Sequence, residues 1–267
     1  MAILPRVARL CIARLPAALI AGGLLMVIST AGAVGTVLET IGPANGPEVA
    51  LLIANTPTTM DSAGNLRPAL RQWIGHIATQ GEVHVSVRTV TVDQRQDEAL
   101  KSPGTCAMSY ARLPAREDKV RWLAEVKRDR MVFIARRDDP FQGSLSDFLR
   151  ITNGKLGAPS GIYRDILENR GIRHTPVDDQ LSLARMVEAG EPRFGLLIGG
   201  AMHTPEIRAM AVRVVAELPQ ASFWFACSAA MPDMLSTRLA AVLHTKEAEA
   251  LRREALGNLA PARSVGQ

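Results

Sequence analysis

The stretch Thr105-Cys106-Ala107-Met108-Ser109-Tyr110-Ala111 is an apolar, strand-like run, and it breaks into the charged turn Arg112-Leu113-Pro114-Ala115-Arg116-Glu117. Upstream of it, strand and helix signals alternate. Val49 to Ala54 is a continuous apolar run closed by the turn-like Asn55 to Pro57, the pattern of a strand buried on both faces in a helix-covered parallel sheet. From Gly64 to Ile77, the residues Leu66, Leu70, Trp73, Ile74 and Ile77 recur at helical spacing. Val83 to Val92 sets Val83, Val85 and Val87 against His84, Ser86 and Arg88, as a half-buried strand does. A short polar helix over Gln94 to Lys101 then leads into the quoted run. These elements make one βαβαβ lobe.

Downstream, Arg116 to Val126 fits a helix or irregular structure, and Met131 to Ala135 is an apolar strand. The charged stretch Arg136 to Asp139 marks a passage to a second lobe. There Ser146 is placed to cap a short helix through Leu149, and Lys155 to Ala158 is a brief strand. Ser160 is placed to cap a helix from Gly161 to Arg170 that stops at Gly171. Gln180 to Ala189 repeats the device with Gly190 at its end, and Phe194 to Ile198 is another buried strand. Val212 to Glu217 and Ser222 to Ser228 read as strands. Asp233 to Leu243 is an amphipathic helix returning to the first lobe, and Lys246 to Leu256 is a charged helix. The expected segments are therefore 48–137 and 221–258 for lobe 1, 138–220 for lobe 2 and a disordered tail over 259–267.

The N-terminus has a different character. Arg6, Arg9 and Arg14 precede an apolar run from Leu15 to Ile28, and Ala31, Gly32 and Ala33 follow. Positive, apolar, then small is the layout of a secretory signal over 1–33, with cleavage after Ala33 and export to the periplasm. An uncleaved anchor is the alternative, since Cys11 to Ile28 approaches the ~20 residues of a spanning helix, but Arg14 and Pro16 interrupt it. Cys11 lies before the apolar region ends, which argues against lipid attachment. The formal net charge of +5 falls to about +2 without those arginines, a weak attraction for any polyanion.

Charge and motif inventories narrow the function. No lysine- and arginine-rich stripe with interleaved aromatics is present, which argues against nucleic-acid binding. His76, His84, His174, His203 and His244 show no metal spacing, and no G-x-S-x-G elbow, phosphate loop or dinucleotide glycine motif occurs. The adjacent pairs Asp138-Asp139 and Asp178-Asp179 point apart and read as solvated turns. No cofactor is implied, and a monomer is expected. In an oxidising compartment Cys106 and Cys227 could pair, or remain two separate buried thiols; the sequence leaves both open.

The stretch Cys106 to Glu117, followed by Val120 and Trp122, resembles the strand and "T-P-E-R-E" turn of type II periplasmic binding proteins. The resemblance is strongest to the family-3 solute-binding proteins of polar amino acid ABC importers. Leu113 stands where that family has Thr. Ser146-Asp147-Phe148 through Leu156-Gly157-Ala158 is similar to its "S-x-x-D-L…K-V-G-V" segment, with Ser160 and Gly161 at its ligand loop. Met186, Glu188, Ala189, Gly190 and Phe194 are similar to its "L-x-x-G-R-x-D-A" element, and Ser222 to Ser228 to its "Y-x-x-A-x-S" strand.

The resemblance implies an α/β, two-lobed fold, each lobe a helix-covered sheet with a hinge between. It also implies a permease partner and a small-molecule ligand in the interlobe cleft. Arg116 would clamp a carboxylate with its planar fork, with Ser109, Tyr110 and Arg112 beside it. Ser160, Gly161, Ile162 and Tyr163 would offer a helix start from the second lobe. Arg95 and Asp97 read as surface groups, the alternative for Arg95 being a place facing the hinge. One departure bears on the ligand: where that family has an acidic residue for the ligand ammonium, this chain has Gly199, Gly200 and Ala201. That favours a carboxylate or other small anion over a standard amino acid. The alternatives are a dehydratase-like enzyme on the same scaffold, for which only Glu117 adjoins Arg116, and a membrane-tethered sensor.

Overall fold

The computed structural model describes residues 35–90, 100–159 and 162–257. The leader, all but the last two residues of the expected polar helix with Arg95 and Asp97, Ser160, Gly161 and the tail over 259–267 lie outside the described residues. Lobe 1 is built from β1 (Thr36–Ile41), β2 (Glu48–Ala54), α1 (Pro68–Gln80), β3 (His84–Val90) and β4 (Thr105–Ala111). Sequence patterning does not flag β1, a largely exposed edge strand antiparallel to β3. Helix α1 starts later than its periodicity suggests. Asp61 Oδ1 accepts the N–H groups of Ala63 and Asn65, which holds a turn there, and Pro68 supplies the first helical position.

Strand β5 (Val120–Arg136) replaces the helix or loop considered for 116–126. A 3-10 turn over Pro114–Arg116 precedes it. Its charged residues suit a helix surface, but here they pair across or along strands: Arg128 with Glu125, Lys127 with Asp129 and Arg130 with Glu217. Lobe 2 then contributes α2 (Leu145–Ile151), β6 (Leu156–Pro159), α3 (Ile162–Glu168), β7 (Thr175–Val177), α4 (Gln180–Ala189), β8 (Phe194–Ile198) and α5 (Pro205–Arg208). Ser144, not Ser146, caps α2, in a reciprocal box with Asp147. Asp179 caps α4, which ends at Gly190 with φ +98°. The two strands expected over 212–228 are one, β9 (Val212–Ser228). Helices α6 (Asp233–Leu243) and α7 (Lys246–Leu256) close the chain.

The nine strands among the described residues form one sheet, ordered β1-β3-β2-β4-β9-β5-β8-β6-β7. Two large hydrophobic cores are built on it, with a smaller third cluster of Leu52, Leu100, Ala107, Tyr110 and Ala226. In lobe 1, Val49, Leu51 and Ile53 pack with Leu70, Trp73, Ile74 and Leu239. In lobe 2, Phe133, Phe148 and Phe194 cluster with Leu167, Leu183 and Leu196, the Phe133 and Phe148 rings 4.5 Å apart. Each such side chain contributes about 1.5–3 kcal/mol when buried, so each lobe has its own source of cohesion. Strands β5 and β9 run through both, paired from Val120 opposite Ser228 to Arg136 opposite Val212. Pairing of β5 with β8 begins at Met131. Four irregularities in the β5–β9 register, two of them at Glu125/Lys127 and Arg130/Val132, add local twist where the lobes join.

Strand β4 sets Cys106 directly opposite Cys227 of β9. The two form a disulfide with an S–S distance of 2.07 Å, which resolves the alternative the sequence left open.

Candidate ligand cleft

Arg116 ends the 3-10 turn after β4 and is buried, 8% exposed, despite its charge. Its guanidinium carbon lies 4.3 Å over the Tyr110 ring, and Nη1 donates to the Ala111 carbonyl at 3.4 Å. Tyr110 in turn stacks on Trp122, with centroids 5.7 Å apart. Trp122 meets Trp224 edge-on. Arg112 caps this assembly 4.6 Å from the Trp224 centroid while its Nε donates to both Glu117 carboxylate oxygens. The structure therefore brings Arg116, Tyr110 and Arg112 together as layers of one cation–aromatic stack. Glu117 is committed to Arg112, which holds its carboxyl below the usual range. Ser109 adopts φ +58° where the β4–β9 register shifts between Ala107 and Tyr110. A left-handed serine costs about 1–3 kcal/mol and is a feature of ligand-binding segments.

Tyr163 differs from its expected place at the cleft. It is buried in the lobe 2 core, and Gln180 Nε2 donates to its hydroxyl at 2.7 Å. Gln180 Oε1 accepts the Ile198 N–H at 3.1 Å. A phenol can fill a core only when its hydroxyl finds a partner, and α4 supplies one. Burial, then the nearby Asp129 charge, pushes its pKa up. Helix α3 begins at Ile162, beside the position expected for the second-lobe ligand loop.

Between the lobes lies a cleft of about 850 Å³. Thr58 and Arg67 line it from lobe 1, Lys127 and Asp129 from the hinge strand, and Gly199 and Gly200 from lobe 2. Lys127 Nζ and Asp129 Oδ2 pair at 2.7 Å, and the Gly200 N–H donates to the same oxygen at 2.9 Å. A Cβ on Gly200 would lie 2.7 Å from Lys127 Nζ, 2.8 Å from Asp129 Oδ2 and 3.4 Å from Thr58 Cγ2. Glycine here permits close approach of hinge and both lobes. Sequence reasoning missed Lys127 and Asp129. Their i, i+2 spacing puts them on one face only if the segment is a strand, and the charged run 125–130 carries no strand signal of its own.

This topology has solved counterparts. One similar structure is a histidine kinase sensor domain with similarity to periplasmic binding proteins, 18% identical, covering 81% of this chain and 99% of that one, with a TM-score of 0.62. The chain has the two-lobed fold of periplasmic binding proteins. A truncated ArgBP from T. maritima in its arginine-bound form shares the periplasmic-binding-protein fold at 16% identity, with coverage of 73% and 94% and a TM-score of 0.62. An ancestral arginine-binding protein bound to glutamine shares it at 12% identity, with coverage of 79% and 98% and a TM-score of 0.63. No family model matches the sequence, and no curated protein matches it. Among the described residues, no cluster of three or more His, Cys, Asp or Glu could hold a metal ion, and no helix is long and apolar enough to cross a membrane.

Proposed function

We propose that the protein is an extracytoplasmic solute receptor that closes its lobes over a small anionic, carboxylate-bearing ligand and presents it to an ABC importer, catalysing nothing. The observation that carries this reading is the buried Arg116 guanidinium, set at the end of β4 beside the strained Ser109. Parallel strands end there, and ligands of open α/β sheets sit outside such strand ends. Two separate cores joined by β5 and β9 supply the hinge that closure needs. Ser109, Tyr110 and Arg112 stand beside the clamp in this reading. Similar structures are binding and sensor proteins, which supports binding over catalysis.

The test is a thermal-shift screen followed by calorimetry on the parent and Arg116→Ala. Truncating one member of a buried charged contact costs about 2–5 kcal/mol, so the variant binds about thirtyfold or more weakly. Equal affinity removes the clamp. A tethered sensor is the second reading, favoured by the sensor domains among the similar structures. N-terminal sequencing of the exported protein separates the two: a chain starting near Val34 supports the released receptor, and a retained leader supports the tether.

A further inference from the structure

We propose that Lys127, oriented by Asp129, is the cation that receives the ligand's anionic group from the hinge side of the cleft. The cleft then selects small anions that carry no ammonium group over the corresponding amino acids. This rests on the solute-receptor reading above and names the ligand class it serves.

The Lys127 and Asp129 side chains are 9% and 11% exposed, a burial that an ion pair withstands only when its remaining donors and acceptors are met. Asp129 is well met. Its Oδ2 takes Lys127 and the Gly200 N–H, and its Oδ1 takes the Arg130 N–H at 2.8 Å. Lys127 is not: an ammonium carries three donors, and among the described residues Asp129 is its one ion-pair partner. Lys127 lines the cleft, so an anion entering it meets the unused donors. An incoming ammonium meets a like charge instead, and the Asp129 carboxylate that could have received it is already engaged. Gly199 and Gly200 offer no side chain in compensation. Two other acidic groups on or beside the cleft are also taken, Glu206 by Arg67 and Glu217 by Arg130, while Glu254 of α7 lines it from a solvent-exposed position.

The experiment is calorimetry of the exported protein with three matched pairs of probes: propionate and alanine, succinate and aspartate, glutarate and glutamate. X-ray scattering alongside reads lobe closure. The expected result is that at least one amine-free acid binds and closes the lobes, with its amino counterpart at least tenfold weaker. Lys127→Met weakens that acid at least tenfold. Because it strands Asp129, the neutral double variant K127M/D129N is measured too. It shows the same loss while unfolding at a midpoint close to the parent's. An amino acid that binds as well as its amine-free partner and closes the lobes overturns the ligand class and leaves the receptor reading standing. Undiminished acid binding by the double variant overturns the role of Lys127. Neither heat nor closure with any probe overturns both readings together.

Discussion

Arg67 and Glu206 stand 139 residues apart, and one Arg67 amino nitrogen, Nη2, reaches both Glu206 carboxylate oxygens, at 2.9 and 3.1 Å. Arg67 is the residue before α1, steadied by donation from Nε to the Pro57 carbonyl at 2.7 Å. Glu206 lies in the first turn of α5, whose Ile207 belongs to the lobe 2 core. The pair therefore ties lobe 1 to lobe 2 beside the cleft. Its side chains are about a quarter exposed, so its contribution belongs near the upper end of the ~0.2–1 kcal/mol typical of accessible pairs. Glu206→Gln should speed ligand release about two- to fivefold and shift the scattering profile toward an open form. Unchanged release at low salt would remove the latch from the closure equilibrium.

Joining Cys106 to Cys227 closes a loop of 121 residues in sequence and fixes β4 to β9 inside lobe 1. A bridge over so long a span stabilises by about 2–5 kcal/mol, largely by restricting the unfolded chain. Urea unfolding of the parent with and without reductant, and of C106A/C227A, should show that loss. Coincident midpoints in the oxidised and reduced protein would contradict it.

Asp139 receives Arg193 Nε at 2.7 Å and Nη2 at 3.1 Å, and the Phe141 N–H at 2.9 Å. The Arg193 hydrogen bond, opposed by burial and helped by the backbone, holds its carboxyl below the ordinary range. A folded-state value lower than the unfolded one contributes stability that is full above the unfolded pKa, about 3.9, and is lost as pH falls through the folded value. Asp139→Asn should cost about 1 kcal/mol at neutral pH and flatten the acid side of the stability curve below about pH 4. Urea midpoints measured from pH 3 to 7 check this; an acid slope identical to the parent's would refute it.

Tyr163→Phe leaves Gln180 Nε2 without its acceptor in the lobe 2 core. A stranded buried donor costs about 1–3 kcal/mol, so the unfolding midpoint should drop while ligand affinity moves less than threefold. A large loss of affinity at unchanged stability would instead place the hydroxyl on the ligand.

The sequence by itself determined the elements whose periodicity and punctuation agree. Val49 to Ala54, Thr105 to Ala111 and Phe194 to Ile198 are apolar runs too short for helices, and Gly190 ends α4 as only a residue at ease with positive φ can. Arg116 is singled out by the resemblance of the turn 112–117 to a known family's motif, not by composition or periodicity. Only the tertiary structure decided the long strands β5 and β9. The charges of 125–130 resemble a helix surface until cross-strand and same-face partners neutralise them. Contact of Lys127 and Asp129 with Gly200, and of Arg67 with Glu206, joins residues 71 or more positions apart, and no local pattern encodes it. Propensity and spacing act over a few residues, whereas a cleft is made by surfaces that meet only after two cores have formed.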